Sequence, residues 1–266
     1  MALFPNFKIG YKSYADAHQL IVKHRLWGYV FLPAIINIII LLAIVFFGWH
    51  YISLFTDWLL DITGLSSPPQ GFFRHIIIFL KWAFRITLYV LLFLLYSSVY
   101  RYLVLAILSP ALTLLSEKTD KILTGHNYPF HFGQFVKDVF RGIRIVIRNF
   151  MIETAFMILF FFLSYIPVVG WFLPVVMLFI TWYFYGFSMI DYSNERFKLK
   201  LRESVRFVRK NRGMAISNGM VFYLFFFFVP VVGFIFAPAY SVIAATIAVS
   251  KVRNKSVQTT LLSNQL

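Results

Sequence analysis

Arginines are the residues of this chain best suited to binding an anion, because a guanidinium presents its hydrogen-bond donors in a planar fork that matches an oxyanion. Arg141, Arg144 and Arg148 recur at helical spacing, and Arg101 and Glu117 precede them in the chain. Basic groups that converge with a few carboxylates attract an anion and still release it. The sequence therefore predicts that these residues line a polar pathway. The alternative is a solvated basic face that lies against lipid phosphates.

Arg25 is a second candidate for anion binding, because it stands just before the first long apolar segment. At the start of a helix, free N–H groups and the positive end of the helix dipole attract negative charge. A guanidinium at this point adds further donors for an oxyanion. The alternative is that Arg25 and Lys23 only anchor the helix at the lipid headgroups.

Residue patterns typical of catalysis or metal binding are scarce in the sequence. The chain has no cysteine, which excludes disulfides, iron–sulfur clusters and thiol nucleophiles. The glycine patterns of dinucleotide and P-loop sites do not occur in it. His126 and His131 share one loop, but two histidines without further ligands make a poor metal site. We therefore expect that the protein is not an enzyme and that it has no catalytic residue, no metal and no cofactor.

The composition places these residues in a membrane protein. The chain has 266 residues, of which 60% are hydrophobic and 13% charged, and its mean hydropathy is +0.77. Soluble domains do not have this composition. In a soluble protein the formal net charge of +15 would suggest nucleic acid, but here the basic residues cluster between apolar segments. We therefore expect anionic lipids as partners and no nucleic acid.

Two long transmembrane helices are expected in the first part of the chain, at residues 28–51 and 72–108. The connecting segment 52–74 has a net charge of −1, which places it outside the cell. The second helix is too long for one perpendicular crossing, since roughly 35 helical residues extend beyond 50 Å. It must tilt strongly or project from the bilayer. The pair Ser109-Pro110 is predicted to end it.

A repeated interruption marks the second half of the chain. Residues 160–174 read FFFLSYIPVVGWFLP, and residues 225–238 read FFFFVPVVGFIFAP. Proline interrupts a helix, and glycine accepts the turn that follows at little cost. The predicted structural turns therefore involve Pro167, Gly170, Pro230 and Gly233.

Each interruption is expected to produce a helical hairpin, over residues 150–190 and 214–250. Arms of about 15–20 residues are about 22–30 Å long, which is marginal for a hydrocarbon core of about 30 Å. We therefore predict hairpins that penetrate the membrane partly and return to the side they left. The alternative is a pair of ordinary spans joined by a tight turn outside the bilayer.

The distribution of charge supports the same topology. Four segments carry an excess of basic residues and are expected on the cytoplasmic side: 1–27, 109–149, 191–213 and 251–266. The first three also show the apolar periodicity of amphipathic interfacial helices. The prediction is a single all-α integral membrane domain over residues 1–266, with both termini in the cytoplasm.

Several short strings occur in a fixed order along the chain. They are Leu32-Pro33 with Asn37, Ser109-Pro110 followed by Leu114-Leu115-Ser116-Glu117, Lys137-Asp138-Val139 with Arg141, Ile166-Pro167-Val168-Val169-Gly170, Asp191-Tyr192, Pro230 with Gly233, Ala237-Pro238 and Ala244-Ala245-Thr246. In this order and spacing, from about residue 20 to residue 253, the chain resembles the CysZ-type sulfate permeases within the wider etoposide-induced membrane protein family.

The resemblance implies two long transmembrane helices and two hemi-penetrating hairpins, assembled as a homo-oligomer in the bacterial inner membrane. It implies uptake of sulfate for cysteine synthesis. It also places sulfate at a Gly-aliphatic-Arg-Arg element before the first span, and the corresponding residues here are Arg25, Leu26, Trp27 and Gly28. Because only the aliphatic position keeps its residue type, a non-transporting membrane scaffold is the alternative function.

Overall fold

The computed structural model of the protein describes residues 3–62, 74–126, 132–163, 166, 168–228 and 230–263. These residues form helices joined by short connections, as the all-α prediction requires. In chain order the helices are α1 (Leu3–Lys23), α2 (Trp27–Ile62), α3 (Arg74–Thr124), α4 (Phe132–Leu163), α5 (Val169–Arg196), α6 (Leu201–Lys210), α7 (Arg212–Phe228) and α8 (Pro230–Ser263). The chain divides into two compact units, Met1–Ile36 with Leu105–Leu266, and Asn37–Val104.

The core of the first unit forms where α1, the start of α2, α3 and α8 meet. Its buried side chains are Ala17, Ile21, Leu26, Val30, Leu115, Ala239, Ile243, Ala244 and Ile247. On α1 and on α8 these residues recur at intervals of about one helical turn, so each helix presents one apolar stripe. Tyr14 adds a polar tie, because its hydroxyl donates to the carbonyl of Asn218 in α7 at 2.8 Å. Burial raises the pKa of Tyr14 well above its usual range, so this hydroxyl remains protonated.

Two glycines bring α5 and α7 into backbone contact. A Cβ atom added at Gly186 would overlap the carbonyl oxygen of Ala215, and one added at Gly219 would overlap the carbonyl oxygen of Trp182. Small residues allow apolar helices to approach this closely. Helix α5 is therefore packed directly on α7.

Helices α2 and α3 are long. They contain 36 and 51 residues, or about 54 and 76 Å at 1.5 Å per residue. The predicted helix end at Ser109-Pro110 is wrong, because α3 continues through Pro110. Burial explains the difference. Leu108, Leu112 and Leu115 are fully buried, and their packing stabilises α3 across the one hydrogen bond that an internal proline removes.

The second unit consists of the rest of α2 and the first part of α3. Large apolar side chains are exposed along it, including Phe46 and Phe47 on α2 and Phe79 and Trp82 on α3. Exposed apolar surface on this scale is typical of a protein that contacts lipid or another apolar surface.

Helices end near both predicted interruptions. The first gap separates the end of α4 at Leu163 from the start of α5 at Val169, and the second separates Phe228 from Pro230. Helix α4 is longer than expected, because the basic amphipathic stretch within 109–149 and the first hairpin arm form one continuous helix.

The glycines of the two repeats do not form the turns. Val168 is the N-cap of α5 and has a positive φ of 70°. An N-cap residue leaves the helical conformation, so the chain turns there and Gly170 belongs to the first turn of α5. Gly233 lies inside α8. The predicted turn roles of both glycines are therefore wrong. Pro230 is the first residue of α8, where its missing N–H removes no helix bond, and Pro167 lies outside the described residues.

Three helical segments in the described part of the chain are long and apolar enough to cross a membrane: Tyr102–Thr124, Gly170–Arg196 and Ile235–Asn254. The last two belong to the second arms of the hairpins. The first segment extends beyond the predicted span 72–108 into the stretch predicted to be cytoplasmic. Of the other predicted span, the described residues form the shorter apolar helix Trp27–Ile40.

Candidate functional site

The junction between α1 and α2 carries the predicted anion-binding element. Arg25 is left-handed, with φ 52°. The amide of Leu26 donates to the carbonyl of Ile21 at 3.0 Å, and the amide of Arg25 donates to the carbonyl of Val22 at 3.4 Å. This pair of bonds is a Schellman motif, in which the residue after the helix end usually is glycine because it must be left-handed. Here that position is occupied by Arg25.

Leu26 fixes the junction to the core. Its side chain is only 2% exposed and packs among the core residues of α1, α3 and α8. Its carbonyl accepts the amides of Tyr29 and Val30 at 3.0 and 3.1 Å, which begins α2. In the described structure, the amides of Trp27 and Gly28 have no backbone acceptor, as is usual for the first amides of a helix.

The three residues around Leu26 face outward. Arg25 and Gly28 are exposed, Trp27 is 37% exposed, and a Cβ added at Gly28 would meet no atom within 4 Å. No carboxylate within the described ranges pairs with Arg25. The junction therefore offers an unpaired guanidinium beside free amides, which is a chemistry suited to an oxyanion.

Arg141, a predicted pathway residue, lies in a buried ionic cluster. Its guanidinium donates two hydrogen bonds to the carboxylate of Asp191, at 3.0 and 3.1 Å, and lies 3.6 Å from Glu195. Ser204 in α6 donates to the same carboxylate of Asp191. Both acids are buried. Sequence reasoning did not select Glu195, although two carboxylates one helical turn apart at the end of an apolar helix would have indicated it.

A second buried ion pair ties α5 to α3. Arg196 lies 3.7 Å from the carboxylate of Asp120 and donates to the carbonyl and hydroxyl oxygens of Ser116. Glu117, another predicted pathway residue, follows Ser116 and is partly buried. The end of α5 is thus fixed to α3 and α4 by arginine–carboxylate pairs on separate helices.

Polar contacts continue along the interface of α4 and α5. Arg148 donates to the side chain of Asn149 at 3.0 Å, and Asn149 donates to Ser188 at 3.2 Å. Further toward the hairpin turn, Thr181 donates to the buried carboxylate of Glu153 at 2.8 Å. The thirteen residues from 141 to 153 extend about 18 Å along the helix. We call this row of polar groups between α4 and α5 the α4–α5 seam.

The predicted pathway residues do not form a single cluster. Arg141 and Arg148 both contribute to the α4–α5 seam, and Arg148 also lies over the ring of Phe187 at 5.7 Å. Arg144 is exposed. The backbone of Arg101 lies in α3, but its side chain is outside the described part of the structure. Nothing in the described ranges brings three or more possible metal ligands together.

The helical fold, the apolar segments of spanning length and the polar groups buried between them define an all-α membrane protein. Residues 14–238 match the family described as Sulfate transporter CysZ/Etoposide-induced protein 2.4, and the chain belongs to this family. The matched range includes both the α1–α2 junction and the α4–α5 seam. The predicted resemblance is confirmed, and membership of a transporter family supports the prediction that the chain is not an enzyme.

Individual relatives are similar over most of their length. A protein named Sulfate transporter CysZ from Pseudomonas fluorescens is 26% identical over 224 residues, which is 83% of this chain and 85% of the relative. A protein of the same name from Pseudomonas syringae pv. tomato is 26% identical over 232 residues, which is 86% of this chain and 87% of the relative. A third, from another strain of Pseudomonas fluorescens, is 28% identical over 226 residues.

Proposed function

We propose that the protein is an inner-membrane permease for sulfate or a related oxyanion, and that it supplies sulfate for cysteine synthesis. The observation that carries this proposal is the unpaired, left-handed Arg25 at the α1–α2 junction. It occupies the position at which the family pattern has glycine, and glycine is the residue that adopts this conformation at little cost. The similarity to proteins named sulfate transporters, over more than four-fifths of the chain, supports the choice of substrate.

The proposed anion site consists of Arg25 with the amides of Trp27 and Gly28, while Leu26 holds the element to the core. The guanidinium donates to the oxyanion from one side, and the first amides of α2 donate from another. Because both groups are exposed, water competes for them, and we expect binding that is weak enough for rapid release.

The proposed route for the anion follows the α4–α5 seam. Arg144 and Arg148 attract anions to it, and Glu117 is proposed to line it further along, while Arg101 stays a predicted pathway residue outside the seam. Arg141 is already compensated by Asp191 and Glu195, so it would not trap a divalent anion. Because two carboxylates face this one guanidinium, the seam can repel an anion as well as attract it, which conduction requires.

We also propose that both hairpins enter the membrane from the cytoplasmic side and return to it. The length of α7 supports this topology for the second hairpin, because its 17 residues extend about 26 Å, less than the hydrocarbon core of about 30 Å, whereas α5 and α8 contain segments long enough to cross. Both chain termini then lie in the cytoplasm. Anionic lipids at the basic segments, and a homo-oligomeric assembly, complete the proposal.

The second candidate function is a membrane scaffold that transports nothing. The observation in its favour is that Trp27 and Gly28 stand where the family pattern has two arginines. Such a protein would retain the packed helices and the buried ion pairs, but its junction would not bind sulfate.

Uptake of radiolabelled sulfate into proteoliposomes tests the two functions against each other. We expect the wild-type protein to import sulfate and the Arg25→Gly variant to lose most of the initial rate. Glycine is the informative replacement, because it keeps the left-handed conformation and removes only the side chain. Lys23→Gln, which removes an exposed charge two residues earlier, is the matched control and should retain the rate. If proteoliposomes with the wild-type protein import neither sulfate nor selenate, the permease function is excluded and the scaffold function is left.

A further inference from the structure

Lys118 lies close to the start of α2 although it belongs to α3. Its Nζ atom is 5.4 Å from the centroid of the Tyr29 ring, and Tyr29 is the third residue of α2. Leu115 and Ile122, which precede and follow Lys118 by about one helical turn, pack in the core cluster that contains Leu26. The face of α3 that carries Lys118 is therefore the face turned toward the α1–α2 junction.

Two other cations near these helices have carboxylate partners. Arg196 pairs with Asp120, and Lys251 pairs with Asp16 at 2.5 Å. Lys118 is partly buried, yet the described residues include no carboxylate that pairs with it. A ring face attracts an ammonium group but does not neutralise it. A partly desolvated, uncompensated charge gains free energy when an anion reaches it.

We infer that Lys118 is the second cation of the sulfate site, acting together with Arg25. This inference rests on the proposed function and adds to it a residue from another helix. Sulfate carries two negative charges, and the family pattern balances them with two adjacent arginines at the positions that begin α2 in this chain. Those positions are Trp27 and Gly28 here, so the chain supplies one cation before α2 and one from α3.

The chemistry of the two cations differs, and this affects selectivity. A guanidinium recognises an oxyanion through donors in a fixed plane, whereas an ammonium group acts as a point charge with three rotatable donors. A site with one of each recognises charge more strongly than shape. We therefore expect sulfate, selenate and other divalent tetrahedral oxyanions to compete at similar concentrations, and monovalent anions to compete poorly.

Binding of sulfate to the full-length protein in neutral detergent tests the inference. Isothermal titration calorimetry of wild type, Lys118→Gln and Lys118→Arg gives the dissociation constants. We expect about a tenfold weaker affinity for Lys118→Gln, which corresponds to the loss of one charge-assisted contact, and recovery in Lys118→Arg. Lys121→Gln is the matched control, because it removes an exposed lysine three residues later on the same helix and should leave the affinity within twofold of wild type.

The outcomes separate this inference from the proposal on which it rests. If the wild type binds sulfate and Lys118→Gln binds it with the same affinity, the proposed role of Lys118 is wrong and the proposed permease function still stands. A wild type that neither binds nor imports sulfate overturns both. If Lys118→Gln does not yield folded protein, Lys118→Met retains the apolar stem over Tyr29 and provides the same comparison.

A lipid phosphate is the other anion that could reach this ammonium group. The same variants are therefore titrated with phosphatidylglycerol and with phosphatidylcholine in mixed micelles, with thermal stabilisation as the readout. If Lys118→Gln abolishes stabilisation by phosphatidylglycerol and leaves sulfate binding unchanged, Lys118 holds a headgroup and the inference is wrong.

Discussion

The α1–α2 junction allows a gain-of-function experiment. The triple variant Arg25→Gly, Trp27→Arg and Gly28→Arg restores the Gly-aliphatic-Arg-Arg pattern around the unchanged Leu26. The junction can accept it, since glycine suits the left-handed position and an added Cβ at Gly28 meets no atom within 4 Å. Trp27 is 37% exposed, so an arginine there can reach solvent.

The expected change in the free energy of unfolding is close to zero. Arg25→Gly relieves left-handed strain of about 1 kcal/mol, and Gly28→Arg gains about 1 kcal/mol of helix propensity. Trp27→Arg loses a ring contact with Phe31, whose centroid lies 6.0 Å away, worth about 0.5–1.5 kcal/mol. Each new cation also opposes the positive end of the α2 dipole by about 0.3–1 kcal/mol. These terms nearly cancel, so a change in sulfate affinity reports on the site rather than on the fold.

The expected gain in sulfate affinity follows from the exchange of one guanidinium for two. One charge-assisted hydrogen bond contributes about 1.5–3 kcal/mol when shielded, and exposure at this junction reduces it to about 1 kcal/mol. That corresponds to about a fivefold lower dissociation constant, measured by calorimetry in detergent. Gly133→Arg adds a cation at an exposed, open glycine of α4 and should leave the affinity unchanged. The reasoning is refuted if the triple variant binds sulfate no better than wild type, or if Gly133→Arg improves binding equally.

Two further predictions concern the packing that holds the site in place. Gly186→Val drives a side chain into the carbonyl of Ala215 and should destabilise the protein by about 3 kcal/mol or more, seen as loss of the monodisperse species in size-exclusion chromatography. Gly133→Val, at an open position, should be tolerated, and equal behaviour of the two variants would contradict the close α5–α7 contact. Arg141→Met leaves the buried carboxylates of Asp191 and Glu195 without the guanidinium that faces them and should lower stability by about 3 kcal/mol, measured by thermal unfolding in detergent. Removing the two carboxylate charges as well, as Arg141→Met with Asp191→Leu and Glu195→Gln, should recover most of that loss, and a triple variant no better than Arg141→Met would contradict the ion-pair assignment.

The sequence predicted the helical class and the positions of the breaks, because both depend on local properties. Apolar composition and helical periodicity indicate helices wherever they occur, and the two Pro-Val-Val-Gly strings mark where α4 and α7 end. The prediction failed at Pro110 because the burial of leucines on both sides of the proline depends on helices distant in the chain. It failed at Gly170 because the chain turns at Val168, a β-branched residue of a type that rarely adopts positive φ.

The candidate site was predictable in part. Arg25 was selected because the resemblance places the anion-binding element there, and its place before an apolar segment supports a position at the start of a helix. The partners of Arg141 were not predictable, because Asp191 is fifty residues away and only the packing of α4 on α5 brings them together. The approach of Lys118 to Tyr29 likewise depends on α3 packing against the α1–α2 junction, which no local pattern encodes.

The backbone contact between Gly186 and Gly219 has a consequence for how the protein can move. Neither α5 nor α7 can rotate about its own axis without bringing a neighbouring side chain against a carbonyl group of the other helix. The two arms must therefore shift together, as one rigid block. We therefore expect the proposed route to open at the borders of that block, and the α4–α5 seam, which is joined by exchangeable hydrogen bonds and ion pairs, is such a border.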